Sequence, residues 1–329
     1  MKKSRLYRTG VVLLLSALVM PLVWAADDPP QRVAVQFEGE EYTAEYETLL
    51  GRFDGNYVSY YPNGIKRSRG YFQSNHRSGS WTVWDSLGNL ISLRTYTDPF
   101  TFNRLVPPVP NDPPVQLLGA PLYSLNRNSD NYYSDFYLEE RMVMYAKRVW
   151  RRLTPENNRH LFHNQRLFHH MLHHAQNGEI ALYQDEDGRK RVEETFDTAQ
   201  YKAIAFDVME DRVFDRERFV SENRIIFISP VVVDKESLDT LNLFYIYYPH
   251  YRKHLAQQPV AGSDLPAGVL HLDDLFFFRA FHGEIFKTDN IYDRTIAEYK
   301  QGDAIAREAQ RIEIGLIETE HDIWIRFSQ

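Results

Sequence analysis

Half of the chain's 12 histidines fall between positions 160 and 174: His160, His163, His169, His170, His173 and His174. On a helix, His169 with His173 and His170 with His174 lie one turn apart, a spacing at which two imidazoles can share a zinc or copper ion. Two ligands do not make a site, and neither a third ligand nor an orienting outer shell can be read from the sequence. Leu167, Phe168, Met171, Leu172 and Ala175 supply the apolar face of such a helix and leave the histidines on its flanks. The expectation is therefore a polar helix face with no metal and no cofactor. Protonation between about pH 5 and 7 would still change its local charge. Asp185-Glu186-Asp187-Gly188 offers carboxylates in a glycine turn, but the alternate-ligand spacing of a calcium loop with its distal Glu is absent, and a hairpin turn is expected.

Catalytic motifs are missing as well. The chain has no Gly-x-Ser-x-Gly elbow, no His-Glu-x-x-His pair (His282-Gly283-Glu284 has the wrong order), no phosphate loop and no cysteine for a thiol nucleophile. With 45 acidic residues, pairs of carboxylates resembling a glycosidase site arise by chance. No catalytic residue is assigned.

The elements that would carry such side chains are clearest near the C-terminus. Ile305, Ala309, Ile312 and Leu316 step by four, three and four, which places them on one stripe of a helix over residues 303–318. Gly302 reads as the end of a preceding helix over residues 290–301, with Asp303 as the next N-cap. Leu138, Met142, Tyr145, Val149 and Leu153 also fit helical spacing, ending before Thr154-Pro155. A helix over residues 165–177 stops at Gly178, and a strand follows at residues 180–183. Residues 223–231 and 243–249, continuous and β-branched or aromatic, read as two buried, paired strands.

Along this stretch Asn290, Asp293-Arg294, Tyr299-Lys300, Gly302, Glu308-Ala309, Ile312, Glu320 and Asp322-Ile323-Trp324 fall in order. The pattern resembles the C-terminal signature of the gliding-motility and type IX secretion family GldN/PorN, approximately Asn-x-x-Asp-Arg, Tyr-x-x-Gly, Glu-Ala, Glu-x-Asp-x-Trp. Upstream, the segment Met144 to Arg151 is similar to that family's Trp-Ser-Lys-x-Val-Trp-Arg, with Tyr145 and Ala146 in place of Trp and Ser. Asn223 to Val231, Leu243 to Pro249, Arg252 with Leu255-Ala256, and Asp274-Leu275-Phe276 with Arg279 and Phe281 match further blocks. The likeness spans residues 132–327.

Nearer the N-terminus a period of 24 appears: Gly55, Tyr57, Tyr60, Gly64 and Phe72 recur as Gly79, Trp81, Trp84, Gly88 and Tyr96. Each copy reads as a β-hairpin, turned at Pro62-Asn63-Gly64 and at Ser86-Leu87-Gly88-Asn89. These units resemble MORN-variant repeats, which form short β-arrays that serve as recognition or scaffold modules, and Val33 to Phe37 reads as a capping strand. Tyr57, Tyr60, Tyr61, Trp81 and Trp84 form an aromatic ladder that is either a binding surface or the core of the stacked hairpins, with about half expected in the core. Pro99, Pro107, Pro108, Pro110, Pro113, Pro114 and Pro121 then mark an extended linker or strap.

Lys2, Lys3, Arg5 and Arg8 precede the apolar run from Val11 to Val23 and the small-residue site at Ala25, which is the pattern of a cleaved secretory signal. The absence of cysteine rules out disulfides and an acyl anchor on a mature N-terminal Cys. Formal net charge is −7, and losing a leader with four cations makes it more negative, which argues against nucleic-acid or anionic-lipid partners.

The expected organisation is a signal peptide at 1–25, a MORN-like hairpin module at 26–98, a Pro-rich linker or strap at 99–131 and a GldN/PorN-like domain at 132–329. The fold class is α+β: a small antiparallel hairpin-repeat module followed by a larger α+β domain with C-terminal helices. The resemblance implies a non-enzymatic structural subunit of the type IX secretion and gliding apparatus, periplasmic and peripheral to the inner face of the outer membrane. Its implied partners are an outer-membrane ring lipoprotein, the periplasmic part of the inner-membrane motor complex, and further copies of itself in a ring. Candidate contacts are Arg148, Trp150, Trp324, Tyr57, Tyr60, Trp81 and Trp84, with core burial the competing role for Trp150 and Trp324. The hairpin module departs from the family's usual Pro-containing N-terminal arm and would reach a further partner or brace the ring. A secreted recognition protein whose repeats bind a peptide or envelope polymer is the second reading, and a metal-dependent enzyme built on the histidine helix is the third.

Overall fold

Glycine-marked hairpins in the first third of the chain build one continuous antiparallel sheet. In the computed structural model, which describes residues 30–106, 125–193, 195–262 and 265–327, seven strands follow each other in sequence order. They are β1 (Val33–Glu38), β2 (Thr43–Leu49), β3 (Arg52–Tyr60), β4 (Lys66–Gln73), β5 (His76–Trp84), β6 (Leu90–Tyr96) and β7 (Phe102–Val106). Gly64 and Gly88 take positive φ at the two tips, as the Asn-Gly-like turns require. The 24-residue period is therefore the pair of hairpins β3–β4 and β5–β6. The sheet continues into β7, beyond Pro99. The leader and Pro107 to Pro121 lie outside the described residues.

A second sheet carries the remaining strands in the order β14-β8-β10-β11-β13-β9. These are β8 (Val143–Leu153), β9 (Leu182–Tyr183), β10 (Tyr201–Asp215), β11 (Val220–Asp234), β13 (Tyr245–Tyr247) and β14 (Glu284–Thr288), and the short β12 (Thr240–Asn242) pairs with β11. The helices are α1 (Arg159–Phe162), α2 (Arg166–Gln176), α3 (Tyr248–Leu255), α4 (Leu272–Phe277) and α5 (Asp303–Phe327). The architecture is α+β: a sheet of hairpins followed by a second sheet with helices toward the C-terminus. Among the described residues no helix is long and apolar enough to cross a membrane.

Two expected helices are not formed. Residues 138–153 end in β8, a strand paired on both edges, with β10 and β14. Helical spacing misleads here because both faces of β8 are covered. Val149 points into one cluster and Trp150 into another, and the flanking Arg148, Arg151 and Arg152 pair with acids on β10. Arg152 lies opposite Asp207, and Arg148 opposite Asp211, in register, each bonded through Nε at 2.8 and 2.6 Å. The acids Asp207, Glu210 and Asp211 also hide β10 itself from a search for apolar runs.

Residues 290–301 form a loop with one 3₁₀ turn at Ile296–Glu298. The Asn290 side chain accepts from the Tyr292 and Arg294 amides and donates to the Thr288 and Arg294 carbonyls, which stabilises the turn against a helix. The helix beginning at Asp303 is longer than the apolar stripe suggests and runs to Phe327. Strand pairing between β11 and β13 and the helix α2 agree with the sequence expectations. Asp185 to Gly188 form a turn closed by the Gln184 amide on the Lys190 carbonyl.

The described residues from 31 onward form a single compact unit. One face of the second sheet is covered at one end by α2, α3 and α4 through Leu153, Phe206, Val208, Ile228 and Val232. At the other end it meets α5, whose Ile312 and Leu316 pack on Val149 and Ile285. The opposite side of α5 turns Ile314 and Ile317 onto Tyr57, Phe72 and Trp81 of the hairpin sheet. The last helix is thus a middle layer between two sheets.

That layering leaves no room at Gly70. A Cβ there would sit 2.1 Å from the Trp81 indole, whose Nε1 donates to the Tyr71 carbonyl at 3.0 Å. Gly70→Ala is expected to lower the urea-unfolding free energy by about 1–3 kcal/mol through overpacking. A loss below about 0.5 kcal/mol, the usual size for surface changes, would show that Trp81 is not wedged as described.

Candidate functional site

The middle helix must face two sheets, so its polar residues are buried along with its apolar ones. Glu318 and Glu320 are each 1 % exposed and His321 is 0 % exposed. A buried carboxylate without partners would cost several kcal/mol, so each must find cations nearby. Glu318 accepts from the Tyr57 hydroxyl at 2.7 Å and from Arg67 Nε at 2.6 Å, both on the hairpin sheet. Glu320 accepts from Arg77 at 2.9 Å on β5, from Arg212 at 3.2 Å on β10, and from the Ser221 amide at 3.2 Å. One carboxylate thereby joins the hairpin sheet, the last helix and the second sheet.

The same logic extends in both directions along α5. Toward its start, Glu313 binds Arg151, which also donates to Glu210 at 2.6 Å, and Glu210 binds Arg279. Toward its end, Trp324 is fully buried and its Nε1 donates to the Phe219 carbonyl at 3.2 Å. Arg94 lies flat on Trp324, with its guanidinium carbon 3.6 Å from the ring centroid, and donates to the same carbonyl. Arg77 sits between the Trp81 and Trp324 rings at 4.9 and 5.1 Å. The hairpin sheet is further fixed by Arg52 and Asn75, which donate to the carbonyls of Ala280 and of Arg279 and Phe281.

Electrostatics follow from this burial. Desolvation pushes the Glu320 carboxyl up, but Arg77 and Arg212 outweigh it and hold the group at about 2. Glu318 is likewise held at about 2 against burial, by His321 and Arg67. Arg94 has no carboxylate in contact among the described residues, and burial lowers it to about 10. His76, whose ring donates to the Phe278 carbonyl at 2.8 Å, is pushed down to about 4 by burial. Burial also lowers His282 and His321. A cavity of about 720 Å³ opens beside this network, lined by Phe53, Tyr96, Arg212, Arg279, Gln310 and Glu313 among others.

Of the residues expected to meet partners, Tyr57, Trp81 and Trp324 have no exposed surface, and Trp150 has little. Their role is to hold the seam, except that Trp150 faces away from α5, packing with Met209 and Phe227 and donating to Glu186 at 2.6 Å. Tyr60, Trp84 and Arg148 remain partly exposed. About half of the aromatic ladder is therefore core. Asp322 pairs with Arg67 at 2.6 Å on the hairpin sheet, whereas Trp324 touches both layers, packing with Val83 of the hairpin sheet and Phe214 of the second sheet. The buried partners Arg77, Arg212 and Arg94 were not singled out from sequence. An arginine on an otherwise inward-facing strand position is the signal that would have found them.

Two measurements probe the seam. Glu320→Gln leaves Arg77 and Arg212 buried without their counter-charge and should cost about 3–5 kcal/mol of unfolding free energy, against at most about 1 kcal/mol for the exposed Asp322→Ala. Equal effects would contradict the assigned roles. Melting temperature should also decline continuously on acidification. Histidines held below the ordinary 6.5 refuse a proton that the unfolded chain accepts, so stability is lost as pH falls from about 6.5 toward 4, the value of His76. Carboxylates held at about 2 keep their contribution above 4.5 and lose it as pH falls toward 2. His76→Gln should reduce the slope of the upper window alone, leaving the part due to His282 and His321, and an unchanged slope there would rule out His76 as a source.

No curated protein matches the sequence. The family model described as gliding motility associated protein GldN matches residues 138–325, from just before β8 almost to the end of α5, and includes Arg151, Glu210, Arg212, Glu313, Glu320 and Trp324 of the seam. With more than half of its length so matched, the chain belongs to the GldN family of gliding-motility-associated proteins.

Proposed function

We propose that the protein is a non-enzymatic structural subunit of the type IX secretion and gliding apparatus. In this reading it is exported to the periplasm and assembles with an outer-membrane lipoprotein into a ring that meets the periplasmic part of the inner-membrane motor complex. Membership of the GldN family supports the apparatus. The observation that carries the assembly reading is the layering: two sheets locked by buried ion pairs make one stiff body with two unlike outer faces. A closed ring of identical copies needs such unlike patches, because a heterologous contact joins one patch to a different one on the next copy.

The outer face of the hairpin sheet carries Tyr60, Trp84, Leu93 and Leu105, none fully buried and Leu105 53 % exposed. The far face of the second sheet carries the Arg148–Asp211 and Arg152–Asp207 pairs around Trp150. The hairpin face sets these residues among Glu45, Arg69 and Thr82 of one cross-strand row, whereas the far face sets its ion pairs around Trp150, Tyr183, Tyr245 and Tyr247. The hairpin face also supports the second reading, in which MORN-like hairpins bind a peptide or envelope polymer, since Tyr and Trp dominate contact hot spots.

Detergent extraction of the envelope after cross-linking tests the first reading. Recovery of a lipoprotein partner and of higher oligomers is expected. Trp84→Glu combined with Leu105→Glu should abolish the oligomers while leaving the melting temperature nearly unchanged. A monomer on sizing, with no lipoprotein recovered, would sink the ring assignment. Retention of a soluble peptide or polymer by the wild type but not by the double variant would favour the second reading.

A further inference from the structure

The histidines of α2 are not part of the seam, yet the fold gives them what the sequence does not show. Gly178 turns the chain at φ +71°, and the Glu179 amide donates back to the His174 carbonyl at 2.9 Å, which sets the Glu179 carboxylate against the His174 ring. The last turn of α3 delivers His254 to the same place. Glu179 Oε2 contacts His174 Nδ1 and lies 3.7 Å from His254 Nδ1, and one donor atom from each of the three lies within 4.8 Å of the others. The His174 and His254 ring centroids are 4.3 Å apart.

We propose that His174, Glu179 and His254 bind one divalent transition metal of the zinc type, which clips the C-terminal end of α2 to that of α3. Two imidazoles and one carboxylate suit zinc, which takes ligands at about 2.0–2.2 Å and retains a position for water. Donors at that distance around a tetrahedral ion stand roughly 3.3 Å from one another, so the 3.7 Å separation needs only a small closure and the widest, within 4.8 Å, at most about 1.5 Å. Both histidines lie in last helical turns, where the negative end of the helix dipole favours a cation.

An outer shell is in place as well. His174 Nε2 lies 3.0 Å from His170 Nε2, and His170 Nδ1 lies 2.5 Å from the hydroxyl of Tyr251, a fully buried side chain. This chain orients the His174 ring as a metal-bound imidazole requires. His174 Nδ1 faces the Glu179 carboxylate, so the atom that would hold a metal is aimed at a second ligand. Metal ligands must be free of protons at the coordinating atoms, so binding weakens as pH falls. In a chain without cysteine, such an ion is a cross-link that a disulfide cannot supply.

Titration calorimetry of tag-free full chain with zinc alone tests the site. Saturable binding of one ion per chain is expected at a Kd of about 1 μM or tighter, with a rise of several degrees in melting temperature. Glu179→Gln and His254→Ala should weaken binding by at least about 100-fold, and His170→Ala by about 10–100-fold as an outer-shell change. His160→Ala and His163→Ala should leave it unaltered. Glu179 is surface-exposed, so Glu179→Gln carries the test if His254→Ala fails to fold. Absence of one-to-one binding below about 100 μM zinc, or wild-type affinity in folded Glu179→Gln, overturns the proposal.

Discussion

Glu318 and Glu320 lie two residues apart on one helix, which turns them to different sides, and both sit where water does not reach. A carboxylate in that position is tolerated only when cations and hydroxyls surround it. The hairpin sheet supplies Tyr57, Arg67 and Arg77, and the second sheet supplies Arg212 and the Ser221 amide. Each sheet therefore completes the charge balance of a helix that it shares with the other. The edge-on aromatic cluster of Tyr57, Phe72 and Trp81, the isoleucines and leucine of α5 and the buried Trp324 supply apolar contact, while the ion pairs fix the register in which it is made.

The C-terminal signature takes on physical meaning in this setting. Glu320 and Trp324 join α5 to β10 and the Phe219 turn, and Asp322 reaches Arg67 across the other side. Asn290 and Asp293, by contrast, shape a loop in which Lys287 pairs with Asp293 at 2.7 Å. The signature thus records one docking helix and the loop that feeds it. The hairpin sheet interlocks with residues 278–282, so it is part of the same body rather than a tethered ornament.

Much of this was legible in the sequence where a single period dominates. The glycine-spaced hairpins, the α2 stripe, the β11–β13 pair and the start of α5 each follow from one repeating pattern of apolar or turn residues. Elements covered on both faces were harder to read. β8 carries Val149, Trp150 and Arg151 in succession, every one buried for a different reason, and this mixture imitates a helix. β10 was hidden by acids whose partners lie on another strand. The histidine cluster was visible as composition, but its third ligand, His254, comes from a helix about 80 residues away, and only the fold brings it near.

Site-resolved amide hydrogen exchange under native conditions tests the seam most directly. If α5 locks the two sheets together, amides of β3–β5 and of β10–β11 should open with the same free energy, in one global event. Exchange of the hairpin sheet at a distinctly lower free energy, while β10 and β11 stay protected, would contradict the account.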